Sequence, residues 1–342
     1  MTKQVYIRGI IIFYLIILMS FSIYINMKRP RVFVVHSYSM DFSWDADITV
    51  GINRIFNGKP YKIRKFFMDT KKHPDKLYME RIGATARKAI DSWNPDIIIA
   101  LDDNAQQYVA KYYINKPNTK IVFAGVNKTI EDYGYQNAEN TTGVLERLNY
   151  NAVKDILLQV MPRDKRKIIH ISDSSDTSHG IHNEIQSFDW APLKFVGSIQ
   201  CETMDQWKLA IKNAENGNAN FILYTHYHTI LETPGGKVVP PKQVMSWTIE
   251  NTKLPGVSFW GFYVEDGGMM AVALSPYEQG EIAAKMAQDI IELQKSPKDI
   301  PVYTSYLFVI YMRDSEIKKR MTTLKLPIIY EAFARATNNY YE

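Results

Sequence analysis

From residue 31 onward, short apolar runs alternate with stretches of helical periodicity. The runs are rich in β-branched and aromatic residues: RVFVVHSY, DIIIAL, KIVFAGV, KIIHIS, FILYTHY and VSFWGFY. Near-continuous apolar runs of this length suit strands covered on both faces, and their alternation with helices predicts parallel sheets with crossover connections. Between the runs, Met79, Ile82, Ala86, Ala89, Ile90 and Trp93 share one helical face. Val153, Ile156, Leu157 and Val160 share another, as do Ile282, Met286, Ile290 and Leu293. Two helix starts are marked. Ser275, Pro276 and Glu278 supply an N-cap, a first-turn proline and a capping-box acid, and Thr203 with Gln206 forms a second box.

The alternation falls into two blocks, about 31 to 146 and 147 to 268. After them, GGMMAVALSPYEQGEIAAKMAQDII and IPVYTSYLFVIYMRD each read as a strand beside a helix. The expected fold is α/β, with two doubly wound parallel-sheet lobes joined by several crossings. Residues 31–146 plus about 270–299 make the first lobe, and 147–269 plus about 300–342 the second. Lobes tied in this way hinge without separating. Ligands of open α/β sheets bind outside the carboxyl ends of the strands, which here face the cleft.

Residues 1–30 stand apart. Lys3 and Arg8 precede an uncharged run from Gly9 to Ile25, long enough to span a hydrocarbon core at the short end of the range. Ser20 and Ser22 have large neighbours and make a poor cleavage site, so the expectation is an uncleaved anchor with an extracytoplasmic body. Lys28, Arg29 and Arg31 beyond the run argue the other way by the positive-inside rule. Composition excludes other classes: 46% of residues are hydrophobic and 23% charged, as in ordinary globular chains. The net charge of +5 and the absence of any Lys/Arg block beyond short clusters such as KPYKIRK imply no nucleic-acid partner, and Cys201 alone allows neither a disulfide framework nor a cysteine metal cluster.

VVHSYSMDFSWDADITVGI resembles the first strand, loop and helix of substrate-binding proteins of an ABC-transporter family, and IVFAGVN the strand that closes their first lobe. The tail is similar to that family along its whole length, through the Gly-Gly strand, the long helix, the DIPV turn and a final Leu-Pro. The resemblance spans nearly all of residues 31 to 330. It implies the type I periplasmic-binding-protein fold, export, and reversible binding of a small solute without chemistry, delivered to an ABC permease. The motif HSY…W and SDSSDTSHG look most like the branch also used as sensor modules of histidine kinases. A sensory role would require a separate membrane kinase or receptor. The lipoprotein cysteine of many members is missing.

The residues themselves point to the same cleft. Strand ends carry Ser37 and Tyr38 with His36, Asp102, Asp103 and Asn104, Asn127, Asp173 with Ser175, Thr225 and His226, and Glu265 with Asp266. Helix N-termini after such strands favour an anionic group, which suits Ser175, Thr177 or Ser178. Asp102, Asp103 or Glu265 can take an ammonium, and Tyr38 and Trp44 can stack on an apolar portion. Together these describe an amino-acid-like solute. Each residue also has a plainer reading: Asp102 or Asp103 as a helix cap, Ser175, Thr177 and Ser178 as turn residues, Trp44 as core, Glu265 as part of a turn. His226 and His228, two apart on a strand, point the same way but lack a third metal ligand. The glycine-rich TPGGKVVPP has no phosphate-loop spacing. No catalytic residue, metal or cofactor is expected.

Overall fold

The computed structural model describes residues 2–321 and 326–342, with side chains from residue 6 onward. The Lys3 side chain, and residues 322–325 within the tail that carries the resemblance, lie outside the described residues. The strands are β1 Arg31–His36, β2 Lys62–Phe67, β3 Ile97–Leu101, β4 Lys120–Val126, β5 Thr141–Leu145, β6 Lys167–Asp173, β7 Lys194–Cys201, β8 Phe221–Tyr224, β9 Gly256–Ser258, β10 Met270–Leu274, β11 Tyr303–Thr304, β12 Phe308–Arg313 and β13 Tyr340–Tyr341. They form two sheets, ordered β11-β5-β4-β3-β1-β2 and β13-β12-β10-β9-β8-β6-β7. The first is parallel throughout, and in the second only the β10–β12 pair is antiparallel.

The first sheet shows why its strands read as unbroken apolar runs. Val32, Val34, Ile97 and Ile99 face one core with Ile48, Ile52 and Ala283. The alternate residues Phe33, Val35, Ile98 and Ala100 face a second core with Ala86 and Ile90. Side chains of a strand alternate in direction, so a strand covered on both faces is apolar at every position.

Membership of the lobes differs from expectation at two places. Strand β10 pairs with β9 and β12 in the second sheet, so residues 270–274 belong there rather than with the first lobe. Tyr303–Thr304 pairs with β5 in the first sheet, so the return to the second lobe begins at β12. IPVYTSYLFVIYMRD is therefore two strands in two sheets with a crossing between them. VSFWGFY is strand only at its start; Phe259 to Gly261 leave the ladder and a short helix, Phe262–Glu265, follows. KPYKIRK is part of an edge strand, β2, whose outward Lys and Arg residues blunt the exposed edge.

The chain crosses between sheets three times, after β5, after β10 and between β11 and β12. The helix Pro276–Glu292 begins at the second crossing, capped by Ser275, which accepts from the Glu278 N–H. Glu278 does not complete the box. Its carboxylate accepts from Tyr303 Oη, Ser305 Oγ and the Leu307 N–H, joining the second crossing to the third. The Thr203–Gln206 box is complete. The Pro276–Glu292 helix lies on the helix Ser43–Phe56 at a glycine contact: a Cβ on Gly280 would stand 2.2 Å from the Ile48 carbonyl, and one on Gly51 2.4 Å from that of Tyr277. Leu293, expected on the buried face, is exposed just past the helix end. At the N-terminus, Thr2–Lys28 is helical, and Tyr6–Lys28, at mean hydropathy 2.3, is long and apolar enough to cross a membrane. Its described side chains are exposed and packed on no other part of the protein.

Candidate functional site

The carboxyl ends of β1, β3 and β4 meet those of β6, β8 and β9 across the cleft. On the first lobe, Ser37 donates to the Leu101 carbonyl (2.6 Å) and accepts from the Ala105 N–H (2.8 Å), tying β1 to the helix Asp102–Tyr108. Ser37 is thus a positioning residue. The loop after β2 is pinned to the same place, since the Thr70 N–H and hydroxyl both donate to the Ser37 carbonyl. Asn104 holds that loop from the other side through Thr70 Oγ1 (2.8 Å). The next residue is Lys71, whose Nζ lies 4.6 Å from the Tyr38 ring centroid and 5.8 Å from that of Phe42.

Asp102 and Asp103, adjacent in sequence, do different work. Neither is the N-cap, which is Leu101 without a side-chain bond. Asp103 accepts from Tyr133 Oη (2.7 Å), the Lys128 N–H (3.2 Å) and the Asn127 N–H (3.4 Å), and so staples the loop after β4. Asp102 adopts φ 64°, a left-handed conformation uncommon outside glycine. Trp44 Nε1 donates to its Oδ1 (3.0 Å), while its buried Oδ2 has no partner. Gly125 permits this approach: a Cβ there would lie 3.0 Å from Asp102 Oδ1. Burial, reinforced by Asp45, Glu146 and Asp103 and opposed by Lys71, pushes the Asp102 carboxyl well above the usual range. Trp44, expected to stack on a ligand or fill the core, is buried and orients Asp102.

Glu146, in the first crossing, accepts from Trp260 Nε1 of the second lobe (2.8 Å) and from Asn127 Nδ2 (3.1 Å). Burial pushes it up to about 8 despite those two bonds. Asn127 is therefore engaged through both its backbone and its amide.

The second lobe contributes an aromatic and imidazole wall. His226 lies 4.4 Å from Trp260 between ring centroids, and Trp260 stacks on Phe262 at 5.9 Å. Phe42 reaches across from the first lobe to His228 (5.0 Å) and Phe262 (5.7 Å). His226 and His228 sit beyond the end of β8, not within it, and the Nδ1 of each is buried without a partner. Burial first, then Lys71, holds both imidazoles well below the ordinary histidine range. Thr225 bonds to His170 Nε2 (2.9 Å) inside the lobe.

Ser175 and Ser178 both donate to Asp173 Oδ1, at 2.8 and 2.5 Å, and Ser175 caps its own helix. An incoming carboxylate at that helix end would meet Asp173, which also accepts the Ser175 and Thr229 N–H groups. Burial pushes the Asp173 carboxyl up, but Lys71, Ser178, Ser175 and His228 outweigh it and leave it below its ordinary value. Thr177 is buried beside this cap. Glu265 lies off the cleft centre, against Ser43 and Asp47. Sequence reasoning missed Lys71, Phe42, Glu146, Trp260 and Phe262. All lie beyond strand ends, four on loops and Phe262 at the start of the short helix Phe262–Glu265, and only the position after β2, an edge strand read as a solvated basic cluster, would have drawn attention to Lys71.

Two α/β lobes with three crossings and a cleft lined by strand ends define a type I periplasmic binding protein. The chain belongs to the ABC transporter substrate binding protein family, whose model matches residues 51–335. The family is extracytoplasmic, and its members bind a substrate for a transporter or sensor partner. Comparison with curated proteins by sequence returned no match. Among solved structures, the chain is similar to an ABC domain from Streptococcus pneumonia in complex with L-Trp, with TM-score 0.68, 15% identity, and coverage of 90% of this chain and 98% of that one. It is similar to the ligand-free, open structure of a substrate-binding protein with adhesive properties from Clostridium difficile, with TM-score 0.61, 14% identity and coverage of 85% and 94%. The TorS sensor domain–TorT complex in the absence of ligand follows at TM-score 0.55, 12% identity, and coverage of 85% and 96%.

Proposed function

We propose that this is the solute-binding protein of an ABC uptake system, taking a small amino-acid-like solute between its lobes without transforming it. The observation that carries this reading is Asp102 Oδ2, a buried carboxyl oxygen without a partner at the end of β3. A buried acceptor left unmade costs about 1 to 3 kcal/mol, and a ligand ammonium satisfies it. Tyr38, Phe42, Trp260 and Phe262 offer rings to an apolar or aromatic portion. The L-Trp in the Streptococcus pneumonia complex is in keeping with such a solute.

The test is a thermal-shift screen of the full chain in detergent against the twenty L-amino acids. At about a hundred times its Kd a ligand adds roughly 2.7 kcal/mol, worth about 4 °C in a body of this size. A bound solute also draws the lobes together, so amide exchange across residues 225–228 is expected to slow. No shift with any amino acid would sink the ligand class, and a shift without protection at those residues would move the site out of the cleft.

The helix Tyr6–Lys28 has no protein surface to cover its apolar side chains, which supports an uncleaved anchor holding the body outside the cytoplasmic membrane. A carboxyl-terminal alkaline phosphatase fusion is expected to be active and a β-galactosidase fusion inactive. The reverse pattern would refute export.

A further inference from the structure

The proposed function accounts for an ammonium but leaves a buried cation unused. Lys71 is 8% exposed, yet among the described residues its Nζ has no hydrogen-bond acceptor and no carboxylate oxygen within the 4.0 Å of an ion pair. Groups from every neighbouring element face it: Asp45, Asp102 and Glu146 from the first lobe and crossing, Asp173, His226 and His228 from the second. Asp103 is occupied by Tyr133, Lys128 and Asn127, and Asp173 by two serine hydroxyls and two backbone N–H groups. A lysine ammonium has three N–H groups to satisfy, and the rings of Tyr38 and Phe42 supply attraction to its charge but no acceptor. The loop that presents it is fastened through Thr70 to Ser37 and Asn104, so the position of Lys71 is set by the strand ends that also set Asp102.

We infer that Lys71 is the anion anchor of the cleft, receiving the carboxylate of a zwitterionic solute whose ammonium meets Asp102. This rests on the amino-acid reading above and specifies how such a solute is oriented. It also moves the carboxylate away from Ser175 and Ser178, whose hydroxyls Asp173 already occupies, and from Thr177 beside them. A zwitterion satisfies one buried group of each sign and adds no net charge to the closed site, whereas an amine without a carboxylate leaves the ammonium of Lys71 unmet. The alternative role for Lys71 is structural, offsetting the four carboxyl groups around it.

The experiment compares each of the twenty L-amino acids with its carboxamide by calorimetry on the full chain in detergent, for wild type, Lys71→Met and Lys71→Arg. Wild type is expected to bind its preferred acid at least tenfold more tightly than the amide. Lys71→Met is expected to lose that preference, binding both as weakly as wild type binds the amide, and Lys71→Arg to keep it. Equal binding of acid and amide by wild type overturns the Lys71 assignment while leaving the amino-acid reading standing, and this comparison holds even if Lys71→Met does not fold. Wild type that binds none of the twenty acids overturns both.

Discussion

Raising the pH from about 6.5 to about 8 is expected to destabilise the unliganded protein by roughly 1.5 to 2 kcal/mol through Glu146. Glu146 is pushed up to about 8 by burial. A carboxyl whose folded value is raised keeps its proton in the folded state after the unfolded chain has lost it. Its contribution is present at low pH and is lost as pH climbs from the unfolded value toward the folded one, at roughly 1.4 kcal/mol per pH unit for each group. Three buried histidines act with the opposite sign: His170, pushed down to about 3 by burial and then by His182, together with His226 and His228. Their contribution is complete above about pH 6.5 and is lost as pH falls, so they oppose Glu146 only below that point. Urea unfolding at a series of pH values should show greatest stability near pH 6.5, a decline on the alkaline side, and a decline on the acid side where the three histidines outweigh Glu146. Glu146→Gln should flatten the alkaline arm by about 1.4 kcal/mol per pH unit. An unchanged alkaline slope in that variant would show that Glu146 is ionised in the folded protein.

Asp102→Asn is expected to weaken solute binding by roughly 1.5 to 3 kcal/mol, a loss of about 10- to 150-fold, with little change in melting temperature. The amide keeps an acceptor for Trp44 Nε1 and tolerates the left-handed backbone at φ 64°, but gives an ammonium no charge to meet. Asp103→Asn should behave in the reverse way. It replaces an acceptor of three hydrogen bonds that fasten the loop after β4, so stability falls by about 1 to 3 kcal/mol while affinity stays within a few-fold. Calorimetry and thermal melts on the two variants separate the roles. Loss of affinity in Asp103→Asn alone would exchange the assignments, and loss in neither would remove the ammonium from this strand end.

Many of the strands can be placed from local pattern, and the exceptions have physical causes. β3 and β4 are apolar at nearly every position because both faces are covered, and that is visible without coordinates. β2 was hidden because an edge strand can be polar on its outer positions, and VSFWGFY reads longer than β9 because only Gly256–Ser258 pairs before the chain turns into the aromatic wall. The assignment of β10 to the second sheet could not be read from its residues. MAVAL suits either sheet, and the choice depends on its antiparallel partner β12, which lies dozens of residues away.

The same division runs through the site. By itself, the sequence determined the fold class, the convergence of strand ends on a cleft, and the presence there of Asp102, Asp103, Tyr38, Asp173 and His226, since these depend on periodicity and on the first residues after a strand. The tertiary structure decided which of those side chains already have partners. Asp103, Asn127, Ser175 and Ser178 are consumed by contacts with residues distant or just around a turn, whereas Asp102 Oδ2 has no partner and Lys71 Nζ meets the Tyr38 and Phe42 rings. Local pattern reports which chemical groups a segment offers, but whether a buried group is satisfied depends on every element packed around it, and only the assembled lobes bring those elements together.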